Sequence, residues 1–247
     1  MVSIKTDREI RIMKEGGHIL AAILKKIQNA VSPGTTTLEL DSLATDLCSK
    51  YKVKPAFLGY HGYPAVLCAS VNNVIVHGIP NNTPLRCGDI LGIDMGIKHK
   101  GYYTDAAISV SVGSANRDVS RLLHATKEAL SAGILAAKAG AHIGDVGAAI
   151  AEVALKYKLG IVRELSGHGI GHELQEDPAV PNFGQKGTGL ALKRGMTIAI
   201  EPMFSLGKPQ TKVLKDNWSV GIADGSIGTH FEHTVLVEER FGIVLTR

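Results

Sequence analysis

Apolar positions recur every three or four residues through the first part of the chain, which is the spacing of a helix with one buried face. The residues that set this spacing are Ile10, Met13, Leu20, Leu24 and Ile27. They predict a helix from about Asp7 to Ala30, which Ser32-Pro33-Gly34 ends. A second helix follows, because Thr36 and Glu39 form a T-x-x-E capping box. Its apolar positions are Leu40, Leu43, Leu47 and Tyr51.

Two further helices are predicted from Asp118 to Lys138 and from Gly144 to Tyr157, the second closed by Gly160. The remaining segments are typical of strands and glycine-rich loops. Four strand-like segments each carry an acidic residue at a matching place. They are Asp89–Gly96, Tyr102–Val112, Met196–Met203 and Phe231–Val237.

These four strands hold a weak internal repeat. One pair of segments has a glycine six residues before its acid, and the other pair has a glycine four residues before its acid. The matching pairs are Gly88 with Asp94, Gly195 with Glu201, Gly101 with Asp105, and Gly228 with Glu232. The repeat predicts two halves related by a pseudo-two-fold axis, with the acids meeting at that axis.

Composition narrows the class of protein. The chain has 247 residues, 45% of them hydrophobic, enough for one large domain or two closely packed halves. Its net charge of +4 permits contact with an acidic neighbour such as ribosomal RNA but does not indicate dedicated nucleic-acid binding. Three cysteines, Cys48, Cys68 and Cys87, form no CxxC pair. With no apolar leader or span, they favour a reducing, cytoplasmic location.

The acids are unusual for strands. Asp94 lies between small residues on one face of its strand, and Asp105 follows eleven residues later beyond a predicted turn at Lys98–Gly101. With an even number of loop residues, both carboxylates point from the same face of a hairpin. Two carboxylates so close repel each other unless a proton or a cation lies between them. The alternative is that both are turn or edge acids facing solvent.

Acids in the second half favour the cation. Glu201 lies inside an apolar strand, and Glu232 opens another. Buried carboxylates are rare unless they are paired or bind metal. His168 lies among glycines, and alone it would indicate only a flexible loop. Together, four carboxylates and one imidazole predict a metal site suited to Mn, Fe, Co or Mg, and their charge favours two ions.

The chain resembles the type I methionine aminopeptidases over essentially its whole length. The matching stretches are GYHGYP at 59–64, SVNNVIVHGIP at 70–80, GIDMGIKHKGYYTDAA at 92–107, GHGIGHELQEDP at 167–178, AIEPMF at 199–204, DNWSV at 216–220 and HFEHTVLV at 230–237. The resemblance implies an α+β pita-bread fold: a central curved antiparallel sheet flanked by helices. It also implies a single catalytic domain, 1–247, with pseudo-symmetric halves of roughly 1–115 and 116–247.

The resemblance implies removal of the N-terminal methionine from nascent chains whose second residue is small, by a hydroxide held between two divalent ions (Mn, Fe or Co). Asp94 would hold one ion, Asp105 and Glu232 would bridge both, and His168 and Glu201 would complete the other. Glu201 would also move the proton. His77 would contact the substrate amide or the tetrahedral intermediate.

The methionine pocket is implied to be lined by aromatic, apolar and thiol side chains: Phe57, Tyr60, His61, Tyr63, Cys68, Leu174 and Trp218. Asn72 and Val74 match a loop that can hold a monovalent cation, and the alternative there is a plain turn. The chain departs from the family at Gln175, where a second substrate-contacting histidine is usual. Glutamine donates and accepts hydrogen bonds but cannot take up or release a proton.

Two other hypotheses remain open. A related pita-bread peptidase cleaves before proline, but such enzymes usually carry a separate N-terminal domain for which this chain has no room. A catalytically inactive binding protein of the same fold would have lost metal ligands, and all five are present here. The expected partners are nascent polypeptide N-termini and a transient ribosome contact, with no DNA or membrane partner. The protein is expected to be a cytoplasmic monomer.

Overall fold

All four predicted helices are present in the computed structural model, which describes residues 2–247. They are α1 (Asp7–Ala30), α2 (Thr37–Tyr51), α3 (Arg117–Ala136) and α4 (Ile143–Tyr157). The predicted ends are right to within two residues. The predicted stop at Gly160 is wrong, because Lys158 ends α4 with a left-handed backbone (φ 54°). The N–H of Leu159 donates to the carbonyl of Ala154 at 3.0 Å, so the helix is closed before Gly160 is reached.

The first two helices begin at capping boxes. Thr36 and Glu39 exchange the two expected hydrogen bonds at the start of α2. Thr6 and Glu9 do the same at α1, a capping box that the apolar spacing does not predict. In both cases the acid also lies near the positive end of the helix dipole, so each helix has a defined start.

The strands of the described residues form three antiparallel sheets. In chain order they are β1 (Lys54–Pro55), β2 (Cys68–Val71), β3 (Val74–Val76), β4 (Ile90–His99), β5 (Tyr102–Ser111), β6 (Gly160–Ile161), β7 (Ser166–Gly169), β8 (Glu176–Pro181), β9 (Thr197–Ile200), β10 (Met203–Ser205), β11 (Thr211–Val213), β12 (Val220–Ile222), β13 (Gly228–His230), β14 (Glu232–Leu236) and β15 (Ile243–Val244).

The large sheet has the order β1-β4-β5-β14-β9-β7-β8, with β2 beside β4 and β15 beside β14. Two small sheets, β13-β10-β6 and β11-β12-β3, flank it. One apolar core lies between α1, α2 and the β4–β5 hairpin, and another lies between α3, α4 and the β9–β14 pair. Each helix pair thus covers one strand pair, and the strand pairs meet where β5 lies beside β14.

The first half of the predicted repeat has a structural counterpart. Gly88 and Gly195 both have positive φ, at 93° and 86°. The N–H of Gly88 donates to the carbonyl of Val112 at 2.8 Å, and the N–H of Gly195 donates to the carbonyl of Val237 at 3.0 Å. Each glycine therefore starts an antiparallel strand pair in the same way, six residues before an acid.

The two glycines in the second half of the predicted repeat lie in different settings. Gly101 lies in the two-residue turn between β4 and β5 with φ 96°, whereas Gly228 lies inside β13. The division of a single domain into halves of 1–115 and 116–247 stays a prediction.

Two adjacent glycines of α1 provide a test of how this helix packs. A Cβ at Gly17 would lie 2.1 Å from the carbonyl oxygen of Leu245, whereas one at Gly16 would lie 3.2 Å from the side chain of His99. Both changes to alanine gain helix propensity of up to ~1 kcal/mol. We expect Gly17→Ala to lower the free energy of unfolding by about 1–3 kcal/mol through overpacking. Gly16→Ala should change it by less than about 1 kcal/mol in urea titrations. Equal effects would mean that α1 does not need this close approach.

Candidate active site and metal centre

The β4–β5 hairpin places two carboxylates on one face. Asp94 lies opposite Ala107, and Gly96 lies opposite Asp105. The connecting loop is Lys100-Gly101, both with positive φ. Because this loop has an even number of residues, Asp94 and Asp105 project from the same side of the sheet. The sequence had left this arrangement open beside that of two separate surface acids.

Two glutamates come from the other strand pair. Glu232 is the first residue of β14 and lies opposite Ala107. Glu201 directly follows β9, at a break before β10. The prediction that Glu201 lies within one continuous strand is therefore wrong. Pro202 has no N–H to donate to a neighbouring strand, so pairing stops there and Glu201 is left at the end of the ladder.

His168 faces these acids from β7. Its Nδ1 lies 2.9 Å from the carbonyl oxygen of Gly169, which leaves Nε2 directed into the site, 3.8 Å from Glu201 Oε1. A histidine whose Nδ1 donates to a backbone carbonyl presents Nε2 as a ligand. Asp105, His168 and Glu232 each bring one ligand atom within 4.8 Å of the others. All five predicted metal residues line one cavity of about 260 Å³.

The clustered acids have too few hydrogen-bond partners among the described residues. Burial raises the pKa of Asp94 and Glu232 well above its usual range, and the neighbouring carboxylates raise it further. Burial, with the charge of Glu201, also raises the pKa of Asp105 to about 6, although His168 opposes the shift. Asp94 Oδ1, Asp105 Oδ1 and Glu232 Oε1 are buried with no hydrogen-bond partner among the described residues. Buried, unpaired oxygens converging on one point fit divalent cations.

The predicted substrate residues line the same cavity. They are Phe57, Tyr60, His61, Tyr63, Cys68, His77, Leu174, Gln175 and Trp218. The hydroxyl of Tyr63 donates to the carbonyl of Gly78 at 2.9 Å, and its ring contacts Trp218 edge-on at 5.2 Å. The backbone N–H of Trp218 donates to Asp216 Oδ1 at 3.0 Å, so the turn at 216–219 sets the indole position. The apolar wall is therefore fixed at both ends.

Sequence reasoning missed several lining or adjacent groups. Val76, Leu165, Ser166 and Met203 line the cavity. His230 is buried beside it, with Nε2 3.2 Å from Glu201 Oε2. A signal existed for His230, since it precedes Glu232 by two residues and so falls on the same side of an extended segment.

Gln175 lies on an exposed stretch of the loop between β7 and β8. It borders both the active-site cavity and a neighbouring open cleft, whereas Leu174 is only 3% exposed and faces inward. His172 points elsewhere, with Nε2 2.7 Å from Glu9 Oε1. Its imidazole therefore does not take the place of the histidine that Gln175 replaces.

The predicted monovalent-cation loop at Asn72 and Val74 stays a prediction. Asn72 has φ 55°, and its carbonyl already accepts the N–H of Gly228 at 3.0 Å. Its side chain links to Asp89 at 2.9 Å and to the N–H of Ile90 at 3.0 Å, which is also what a tight turn requires.

The fold and the acid cluster together define a metallopeptidase. The model of metallopeptidase family M24 matches residues 11–239, and the chain belongs to that family. It is 40% identical to methionine aminopeptidase 1 of Bacillus subtilis over 247 residues, covering all of both chains. It also matches the crystal structure of methionine aminopeptidase from Thermotoga maritima, with a TM-score of 0.98, 40% identity and full coverage of both. These matches confirm the resemblance read from the motifs.

A more distant structure supports the architecture alone. Prolidase from Pyrococcus furiosus superposes with a TM-score of 0.81 at 24% identity, over 99% of this chain and 65% of that one. The pita-bread, α+β fold predicted from the sequence is thereby confirmed. Among residues 2–247, no helix has the length and apolar character needed to cross a bilayer.

The clustered acids predict a stability change with pH in the metal-free protein. The pKa of Asp105 is raised to about 6 on folding, so this carboxyl favours the folded state at low pH. That contribution is lost as the pH rises from about 4 through about 6. Asp105→Asn should therefore gain on the order of 2 kcal/mol over wild type between pH 4 and pH 7 in EDTA. Added Mn²⁺ should stabilise wild type more than the variant.

Urea titration at each pH, with and without Mn²⁺, measures both effects. Asp118→Asn is the matched control, since its carboxylate is exposed at the start of α3. A stability difference between Asp105→Asn and wild type that does not change with pH would contradict the burial of a charged cluster.

Proposed function

We propose that this protein is a methionyl aminopeptidase that removes the N-terminal methionine from nascent proteins and peptides whose second residue is small. This proposal rests on the convergence of four carboxylates and His168 at one end of a cavity whose other walls are aromatic and apolar. Full-length similarity to methionine aminopeptidases supports the same activity. The cavity of about 260 Å³ suits one side chain and the first peptide bond better than a long peptide.

Two divalent cations would be held by the five acidic and imidazole residues. Asp94 would take one ion, Asp105 and Glu232 would lie between the two, and His168 and Glu201 would complete the other. The donors are mostly oxygen, which favours Mn, Fe or Co over a thiolate-type zinc site. When bound, such ions polarise a carbonyl and lower the pKa of water. A monovalent cation at Asn72 and Val74 is part of the proposal.

The apolar end of the cavity would bind the methionine side chain. Tyr63 and Trp218 form a fixed aromatic corner, and Cys68 lies against Tyr63. Burial raises the pKa of the Cys68 thiol, with Asp94 adding to the shift, so this sulfur is an uncharged, polarizable surface at neutral pH. Such a surface suits a thioether. Phe57, Tyr60, His61 and Leu174 complete the pocket.

Proton transfer and substrate positioning would fall to residues at the junction of the two ends. Burial lowers the pKa of His77, so its imidazole is neutral near pH 7 and able to donate a hydrogen bond to the substrate amide or to the developing oxyanion. Glu201 faces the same space, with Oε2 3.2 Å from His230 Nε2, and it would accept and return the proton of the attacking water. Gln175 would donate its amide to the substrate from the rim.

The cell context follows the same proposal. A cytoplasmic monomer acting on nascent N-termini, with transient ribosome contact and no DNA or membrane partner, agrees with the free thiols of Cys48, Cys68 and Cys87 and with the modest charge. All five proposed ligands face one cavity, which argues against an inactive binding protein. The full-length similarity at 40% identity is to a methionine aminopeptidase, which argues against a proline-specific peptidase.

A peptide series tests the function. With Mn²⁺ or Co²⁺, the protein should release methionine from Met-Ala-Ser and Met-Gly-Ser, cleave Met-Lys-Ser far more slowly, and leave Ala-Pro-Ala intact. EDTA should abolish cleavage, and Asp105→Asn or Glu232→Gln should stay inactive in excess metal. Equal rates on Met-Ala-Ser and Met-Lys-Ser would refute the assigned pocket. Cleavage of Ala-Pro-Ala alone would favour the proline-specific alternative.

We expect the chain with Gln175 to have a lower kcat than a variant with an imidazole at the same position. An amide differs from imidazole in reach and cannot be protonated, so Gln175→His should raise kcat by on the order of tenfold and change KM less. The pH profile should gain a dependence near neutrality. Steady-state kinetics on Met-Ala-Ser with one metal measures this. An unchanged or lower kcat would mean that the surrounding pocket, including Leu174, is adapted to glutamine.

A further inference from the structure

A buried ion pair lies outside the catalytic cavity and has no part in the proposed chemistry. Lys5 Nζ lies 2.7 Å from Glu176 Oε2, and the two side chains are 1% and 9% exposed. The backbone of Lys5 is fixed as well, since its N–H donates to the carbonyl of Gly195 at 2.8 Å. Its stem packs against Gly171, where any Cβ would collide with Lys5 Cε at 2.3 Å. The ammonium group thus has a site built for it.

The same carboxylate closes a loop. Glu176 Oε1 accepts the N–H groups of His172 at 2.5 Å and Glu173 at 3.1 Å. Glu176 Oε2 accepts from Ser3 Oγ at 2.6 Å as well as from Lys5. Burial would raise the pKa of Glu176, but these donors outweigh it and lower the pKa, so the group is ionised at neutral pH. One side chain therefore joins the N-terminal segment to the loop 171–176.

That loop carries two residues of the active site. Leu174 packs into the methionine pocket, and Gln175 borders both the pocket and the open cleft that Ser3 and Glu176 also line. A second tie from the N-terminal side reaches the loop where Glu9 binds His172. Gln175 itself is exposed, so its position depends on the backbone that carries it.

We propose that Lys5 and Glu176 are positioning residues that hold the loop 171–176 so that Gln175 reaches the substrate. The inference rests on the proposed function, because it gives Gln175 a contact with the substrate during turnover. A misplacement of about 1 Å at a positioning group can cost up to 10²-fold in rate. Removing the ammonium group leaves a buried carboxylate that must find water, and a surface loop can move to supply it.

Lys5→Met tests the proposal because it keeps the unbranched stem on Gly171 and removes the charge. We expect kcat/KM on Met-Ala-Ser to fall roughly tenfold, with kcat falling more than KM rises, and Mn²⁺ affinity by calorimetry to stay within about twofold. Amide hydrogen exchange across 171–176 should become faster. Lys186→Met is the matched control, since Lys186 pairs with Glu152 at the same 2.7 Å but on the open surface. It should change neither readout.

A double-mutant cycle separates positioning from a merely structural role. In a Gln175→Ala background, Lys5→Met should cost less than about twofold, because the group that it positions is gone. Ser3→Ala, which removes one donor to Glu176 and keeps the ion pair, should shift exchange and kcat/KM in the same direction by less. It keeps the test available if Lys5→Met folds poorly.

Three results would overturn the proposal. The first is unchanged exchange at 171–176 in both Lys5→Met and Ser3→Ala. The second is a full tenfold loss that persists in the Gln175→Ala background. The third is a Gln175→Ala enzyme as active as wild type. In each case wild-type cleavage of Met-Ala-Ser would leave the proposed function standing. Absence of that cleavage would instead refute the function and, with it, the role of Gln175.

Discussion

The gathering of four carboxyl groups at one point, two of them buried, is the constraint on which the rest of this structure depends. Asp94, Asp105, Glu201 and Glu232 come from four positions in the chain. Where they meet, burial and then the neighbouring carboxylates raise the pKa of Asp94, Asp105 and Glu232. Such a cluster opposes folding unless the scaffold is stable enough to hold it or cations compensate it. The two apolar cores behind the sheet supply that scaffold. The acid cluster that the proposed function needs therefore opposes folding, and the two apolar cores beside it compensate for that cost.

The seam between the strand pairs is built to tolerate this conflict. β5 and β14 pair only through Ala106 and Ala107 opposite His233 and Glu232. On one side of that short ladder, the hydroxyl of Thr234 accepts the N–H of Asp105 at 2.9 Å and donates to its carbonyl at 2.8 Å. On the other side, Ser109 does the same for His230, at 3.1 and 2.8 Å. The hydroxyls satisfy backbone groups where the strands separate, which leaves room for the acids.

The sequence predicted those features that arise from local patterns. All four helices were predicted, the first two from apolar spacing and a capping box. The shared face of Asp94 and Asp105 depended on an even number of loop residues, a condition that Lys100-Gly101 meets. Features that depend on distant contacts were not visible. The hydroxyl of Ser109 bonds a residue 121 positions away, and that of Thr234 bonds one 129 positions away. Lys5 lies 171 positions from Glu176. Nothing local marks Lys5 as buried, since its neighbours are polar or exposed. The pocket lining came from family resemblance, because loop aromatics carry no period of their own.

The two ends of the cavity are supported differently, and this bears on the departure at Gln175. The metal-facing carboxylates lie on or beside paired strands, whose ladder and hydroxyl clamps fix the backbone. Gln175 and Leu174 lie on a loop held through one carboxylate and the N-terminal segment. Groups on a packed sheet tolerate little variation in position, whereas a loop can adjust by small amounts. Under the proposed function, a change from imidazole to amide on the loop would alter how the substrate is held without disturbing the acids. That separation would let the chain keep all five proposed ligands beside an altered substrate contact.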